Sequence, residues 1–149
     1  MYRRDVLVKI PFRKTSYSED AIWAKDALLN GYAIVYNYKA RVFHYHLEDA
    51  DFTLKRTFTT MYFRYRHFGF LYEKPTTNLL NRLRLLKVLV KNLGVNSSVF
   101  KWYRYNILNH KAVTDAHELF IKALAAGEQE LDRQHQQLCG KPPIPLKTA

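Results

Sequence analysis

Tyr32-Ala33-Ile34-Val35-Tyr36, then Asn37-Tyr38-Lys39-Ala40, then Arg41-Val42-Phe43-His44-Tyr45-His46: these fifteen residues decide how the chain is read. The first run is β-branched and aromatic, which suits a strand. The second is turn-like. In the third, a two-residue period puts Val42, His44 and His46 on one face of a second strand. A helix is expected just before them, from about Glu19 to Asn30. Ser18 would cap it, Glu19 and Asp20 would occupy its first turn, and Ala21, Ala24, Ala27 and Leu28 would share a face. Asn30-Gly31 is a C-terminal stop. A helix followed by a hairpin makes residues 1 to about 50 a partial α/β unit, with two open sheet edges that a complete sheet would cover.

Upstream, Arg3 to Ile10 reads as a short helix or turn with Val6, Leu7 and Ile10 at helical spacing, ended by Pro11. Residues 12–17 read as a loop. Downstream, Glu48-Asp49-Ala50-Asp51 is an acidic loop, with Asp51 expected to cap the next helix. From Thr53 the spacing turns helical: Leu54, Phe58, Met61, Tyr65 and Phe68 step by 4, 3, 4, 3, with Lys55, Arg56, Arg64 and Arg66 on the other faces. Gly69 and Pro75 bracket a break. A second helix is predicted over 78–93, stopped by Gly94. A third runs from a cap at Ser97 or Ser98 to about Leu138, kinked or split at Gly127. The expected domains are therefore 1–51, the α/β part; 52–138, a helical extension; and 139–149, a proline-containing tail expected to be disordered or extended.

The chain has 149 residues, 48% of them hydrophobic and 25% charged, so it is globular in composition. Aromatics reach 15%, which suits a stacking surface or an aromatic core. A formal charge of +11 favours polyanionic partners: nucleic acid, an anionic membrane surface or phosphorylated substrates. The single cysteine, Cys139, excludes an internal disulfide framework and a cysteine-based metal site. Residues 1–6 carry no apolar run of the signal-peptide kind, and no apolar run reaches the length of a membrane span. A cytoplasmic setting is the expectation, peripheral to the inner face of the membrane.

Glu19-Asp20 is the first candidate for chemistry. The unpaired N–H groups of a helix N-terminus stabilise negative charge there, and such a carboxylate could accept a proton from a hydroxyl. Helix capping alone also explains the pair. His44 and His46 point the same way on a strand and could reach one metal ion or one phosphate; two ordinary strand histidines are the plainer account. Trp23 could stack on a sugar or base, or could be core. His67, His110, His117 and His135 read as surface or core-edge residues. The basic helices could meet an anionic membrane or nucleic acid, or could be bundle helices with a solvated basic face.

The order of these signals is more specific than any one of them. Ser18-Glu19-Asp20, Trp23-Ala24-Lys25, Gly31-Tyr32, Ile34-Val35-Tyr36 and Ala40-Arg41-Val42-Phe43-His44-Tyr45-His46, with the upstream run Tyr2-Arg3-Arg4-Asp5-Val6 and Pro11-Phe12, resemble the second half of a family 2 glycosyltransferase of the GT-A fold. The nearest branch is the bacterial rhamnosyltransferase-like one, and the resemblance spans about residues 1–70. It implies an inverting sugar transfer from a nucleotide-sugar to a glycan or lipid-linked acceptor. Asp20 would be the general base, with Glu19 supporting it and Trp23 lining the acceptor side. His44 would help hold a divalent metal, Mg or Mn, and His46 would contact the donor diphosphate.

The family's nucleotide-binding half and its Asp-x-Asp motif have no counterpart before Tyr2. Asp49-Ala50-Asp51 falls after the late histidine and reads as a capping loop. The expectation is thus a fragment, inactive alone and not binding the metal alone, whose partner would be a separate nucleotide-binding half. The alternative is a basic helical module that binds nucleic acid or membrane without catalysis, nucleic acid being the less favoured partner. Whether the chain is itself an enzyme is left open.

Overall fold

The computed structural model describes residues 2–35, 37–39, 41, 48–75 and 79–140. Among them every regular element is a helix: α1 (Arg4–Lys9), α2 (Glu19–Leu29), α3 (Ala50–Phe68), α4 (Leu79–Asn92), α5 (Val99–Ala125) and α6 (Glu128–Cys139). The chain divides into two compact units, Met1–His46 and Leu47–Ala149.

The α/β expectation is therefore corrected: the described residues contain no strand. The reason is visible at the end of α2. Gly31 adopts φ 80° and donates its N–H to the carbonyl of Leu28 (3.1 Å), while the N–H of Tyr32 reaches the carbonyl of Ala27 (3.0 Å). This pair of bonds is a Schellman stop, and its usual apolar contact is made by Tyr32, which packs on the core beside Ala27. Tyr32 thus finishes the helix rather than starting a strand. Ala33, Ile34 and Val35 continue without a ladder, and Ile34 and Val35 stay exposed. Among the described residues no segment pairs with 32–35, and β-branched composition alone does not make a strand. His44 and His46, with the rest of the second strand predicted at 42–46, lie outside the described residues, as does the tail at 141–149.

The first unit is small. Val6 of α1 packs with Trp23 and Ala27 of α2, and Leu7, Ile10 and Tyr32 close around them. The indole N–H of Trp23 donates to the carbonyl of Ile10 at 2.7 Å, which joins the end of α1 to α2. Arg13 grips both carboxylate oxygens of Asp26 at 2.7 Å, fastening the intervening loop to the same helix.

The second unit is built on α3 and α5, closed by α6, with α4 leaning on α5. Phe58, Met61, Tyr62 and Phe63 of α3 are buried, and α5 meets them with Ala112, Ala116, Phe120 and Ala123. The three alanines keep that side of α5 thin, so bulk on α3 has somewhere to go. Phe58 and Phe120 meet edge to face with ring centroids 5.8 Å apart. From α6, Leu131 is buried, and the imidazole of His135 stacks on Tyr62 at 3.9 Å.

Two histidines expected at the surface or core edge are thus interior. His135 is buried against Tyr62, and His117 is buried with its Nε2 3.0 Å from the carbonyl oxygen of Tyr72. Arg66, expected on a basic outer face, is also buried. Its guanidinium pairs with Glu128 at 2.5 Å and with Asp132, whose carboxylate also accepts from the Tyr62 hydroxyl at 2.9 Å. Burial opposes the charge on Arg66, but hydrogen bonds to Asp132 and Tyr62 outweigh it and hold the guanidinium above its ordinary range.

Gly127, at φ 117°, separates α5 from α6, as the sequence predicts. The N-cap of α3 is Asp49 rather than Asp51: Asp49 Oδ1 accepts from the N–H of Phe52 at 2.8 Å, and Asp51 instead pairs with Lys55 at 2.6 Å. No described helix is long and apolar enough to cross a membrane.

Candidate functional site

The first unit contains a cleft of about 660 Å³ whose lining includes Tyr2, Arg3, Asp20, Trp23 and Tyr32. That size lies within the ordinary range for a small-molecule site, about 300–1,000 Å³. Two of the residues singled out from the sequence, Asp20 and Trp23, therefore line the same space.

Asp20 is exposed in the first turn of α2. Its Oδ1 accepts a hydrogen bond from the N–H of Ala21 at 2.7 Å, one of the donors that the helix itself leaves unpaired. Glu19 is exposed beside it. Ser18 occupies the N-cap position but makes no capping bond with its side chain. Its backbone sits at φ 57°, ψ 35°, and it is the sole non-glycine residue at positive φ among those described. A left-handed serine costs about 1–2 kcal/mol. Such strain persists where surrounding structure imposes it, and it concentrates at working sites. Here it turns the chain sharply into α2 immediately before the two carboxylates.

Trp23 is buried and lines the cleft. Tyr2 meets its ring edge-on at 4.9 Å, and Phe12 lies tilted against it at 5.7 Å. With its N–H given to Ile10, the indole both belongs to the core and lines the cleft. A ligand in the cleft would meet an aromatic corner of Tyr2 and Trp23 rather than a lone stacking plate.

Tyr2 and Arg3 were not singled out individually by the sequence. Charge alone could not separate Arg3 from its neighbour Arg4. What distinguishes it is the bond to Asp5, 2.6 Å from Nη2 to Oδ2. That hydrogen bond raises the Arg3 guanidinium above its ordinary range and lowers the Asp5 carboxyl. The lining thus combines the exposed Arg3, paired with Asp5, and the exposed carboxylate of Asp20 with the aromatic rings of Tyr2, Trp23 and Tyr32.

His44 and His46 lie outside the described residues, so their relation to the cleft is not part of this geometry. Among the described residues, no three His, Cys, Asp or Glu side chains converge in a way that could hold a metal ion. The divalent metal that the resemblance implies therefore finds no ligand set among the described residues.

No protein-family model, curated protein or solved structure matches the chain.

Proposed function

We propose that this chain supplies the acceptor side of an inverting glycosyl transfer, with Asp20 as the general base. The observation that carries the reading is that Asp20 lines one cleft with the aromatic rings of Tyr2 and Trp23, on a helix N-terminus reached through a strained Ser18. A sugar offers an apolar face to aromatic rings and hydroxyls to carboxylates, and the cleft contains both. Asp20 would accept the proton of the acceptor hydroxyl. The hydroxyl oxygen would bond to the anomeric carbon as the bond from that carbon to the nucleoside diphosphate breaks on the opposite face. Glu19 would hold a neighbouring hydroxyl.

The donor nucleotide would be bound by residues other than these. The Asp-x-Asp string at residues 49–51 is engaged in capping α3 and in pairing with Lys55. It stands after the proposed base in the chain rather than before it.

Two measurements test the reading. Trp23 emission, followed in a Trp102→Phe background, should respond saturably to glycan or lipid-linked acceptors. The response should weaken about tenfold in Asp20→Ala, the loss of a charge-assisted hydrogen bond. In any preparation that transfers sugar, Asp20→Asn should lower kcat about 10²–10⁴-fold without changing the melting temperature. A full transfer rate in Asp20→Asn would remove Asp20 from the role. Silence of Trp23 toward every acceptor class would remove the acceptor site.

A further inference from the structure

α4 carries a second, outward apolar face. Its inner side, Leu85 and Leu89, leans on α5, and Leu89 is only 9% exposed. Leu83, Leu86 and Val90 step by 3 and 4, which places them on another side of the helix, and Leu93 continues the spacing in the turn just past its end. They are 50%, 45%, 60% and 57% exposed. Arg84, Lys87 and Lys91 follow their own i, i+3, i+7 line beside that face, and all three are exposed.

The charge is one-sided over a longer stretch. From residue 74 to 114 there are eight Lys and Arg and no Asp or Glu. Phe100 and Trp102 add exposed aromatics at the start of α5.

We propose that this face of α4 docks the protein on an anionic lipid bilayer, the helix lying in the plane of the interface. Leu83, Leu86, Val90 and Leu93 would enter the acyl boundary, while Arg84, Lys87 and Lys91 would meet lipid phosphates. An apolar row with a flanking row of cations matches what a bilayer surface offers, hydrocarbon next to anionic headgroups. A second copy of the chain would set the same cations against each other. A nucleic-acid backbone would accept the cations but leave four large aliphatic side chains against phosphate and water. The docking surface lies within the second unit and owes nothing to the chemistry proposed for Asp20.

The test is sedimentation of the full chain with vesicles of phosphatidylcholine alone and of phosphatidylcholine containing about one-third phosphatidylglycerol. Binding to the anionic vesicles should be at least about tenfold tighter, and should fall in about 1 M salt. Lys87→Ala with Lys91→Ala should weaken it about 30-fold. Leu86→Asp with Val90→Asp should abolish it with an unchanged far-UV spectrum, since both positions are exposed. Equal binding to neutral and anionic vesicles would overturn the proposal. So would no binding to either, a dimer that Leu86→Asp with Val90→Asp dissolves, or duplex DNA binding that survives the two aspartates.

Discussion

Single residues set two different limits on this molecule. Arg66 shows how far a charged side chain can be drawn inward when acids on another helix meet it: Glu128 and Asp132 lie one turn apart on α6 and converge on its guanidinium. Nothing in the run Arg64-Tyr65-Arg66 distinguishes the buried arginine from the exposed one. The distinction is made by a helix more than sixty residues further along the chain.

Glu130 carries the clearest titration. Hydrogen bonds from Arg133, at 2.5 and 2.7 Å, and from Gln134, at 3.0 Å, hold its carboxyl down to about 2 from an ordinary 4.5. A carboxyl lowered on folding stabilises the fold above its unfolded value and loses that contribution as pH falls toward its folded one. The melting-temperature gap between the wild type and Glu130→Gln should therefore be full at pH 6, begin to shrink near pH 4.5 and close near pH 2. A gap that stays constant down to pH 2 would show that the arginine contact is not maintained in solution.

At the level of elements, turns and stops decided most of what could be read ahead of the structure. Asn30-Gly31, Gly69, Gly94 and Gly127 each mark the end of a helix, and apolar spacing located the helices between them. Gly127 is the strictest of these, because φ 117° with ψ 163° is a conformation that essentially only glycine adopts. No atom lies within 4 Å of where its Cβ would be. Gly127→Ala should thus lower stability by about 1–3 kcal/mol through backbone strain alone, measured by urea unfolding. Gly127→Ser should cost the same, because side-chain size has nothing to strike.

The strand at residues 32–36 could not be judged in the same way. Its composition is right, but a strand is a relation between two segments, and composition speaks for each segment without fixing their pairing. α6 hid its role for the opposite reason. It is polar nearly throughout, and the two residues it buries, Leu131 and His135, are one turn apart in a pattern too sparse to announce a core face. In the candidate site, the carboxylates and Trp23 were legible as a group. The packing of that indole against Tyr2 and Phe12 was not, because both partners come from residues more than ten positions earlier.

For the molecule as a whole, the two units differ in how much they can hold alone. The second has a core of large side chains drawn from three of its own helices. The first rests on Val6, Trp23 and Ala27 with three partly buried neighbours. A chain of residues 47–149 should therefore keep its helicity and melt cooperatively, whereas residues 1–46 alone should give a broad, shallow melt. Circular dichroism of the two pieces checks this. A sharp transition in the short piece would show that its few contacts suffice.

The bond between Tyr62 and Asp132 spans seventy residues. During synthesis, α3 leaves the ribosome long before α6 does, at about 5–20 residues per second. Its four large apolar side chains then wait on the order of 4–14 seconds for the helix that seals them. α4 and α5 are made in that interval, but α6 comes last. The newborn chain therefore passes through a period in which its stickiest surface is complete and its cover is not, and α5 is the first of its own helices that can shield α3.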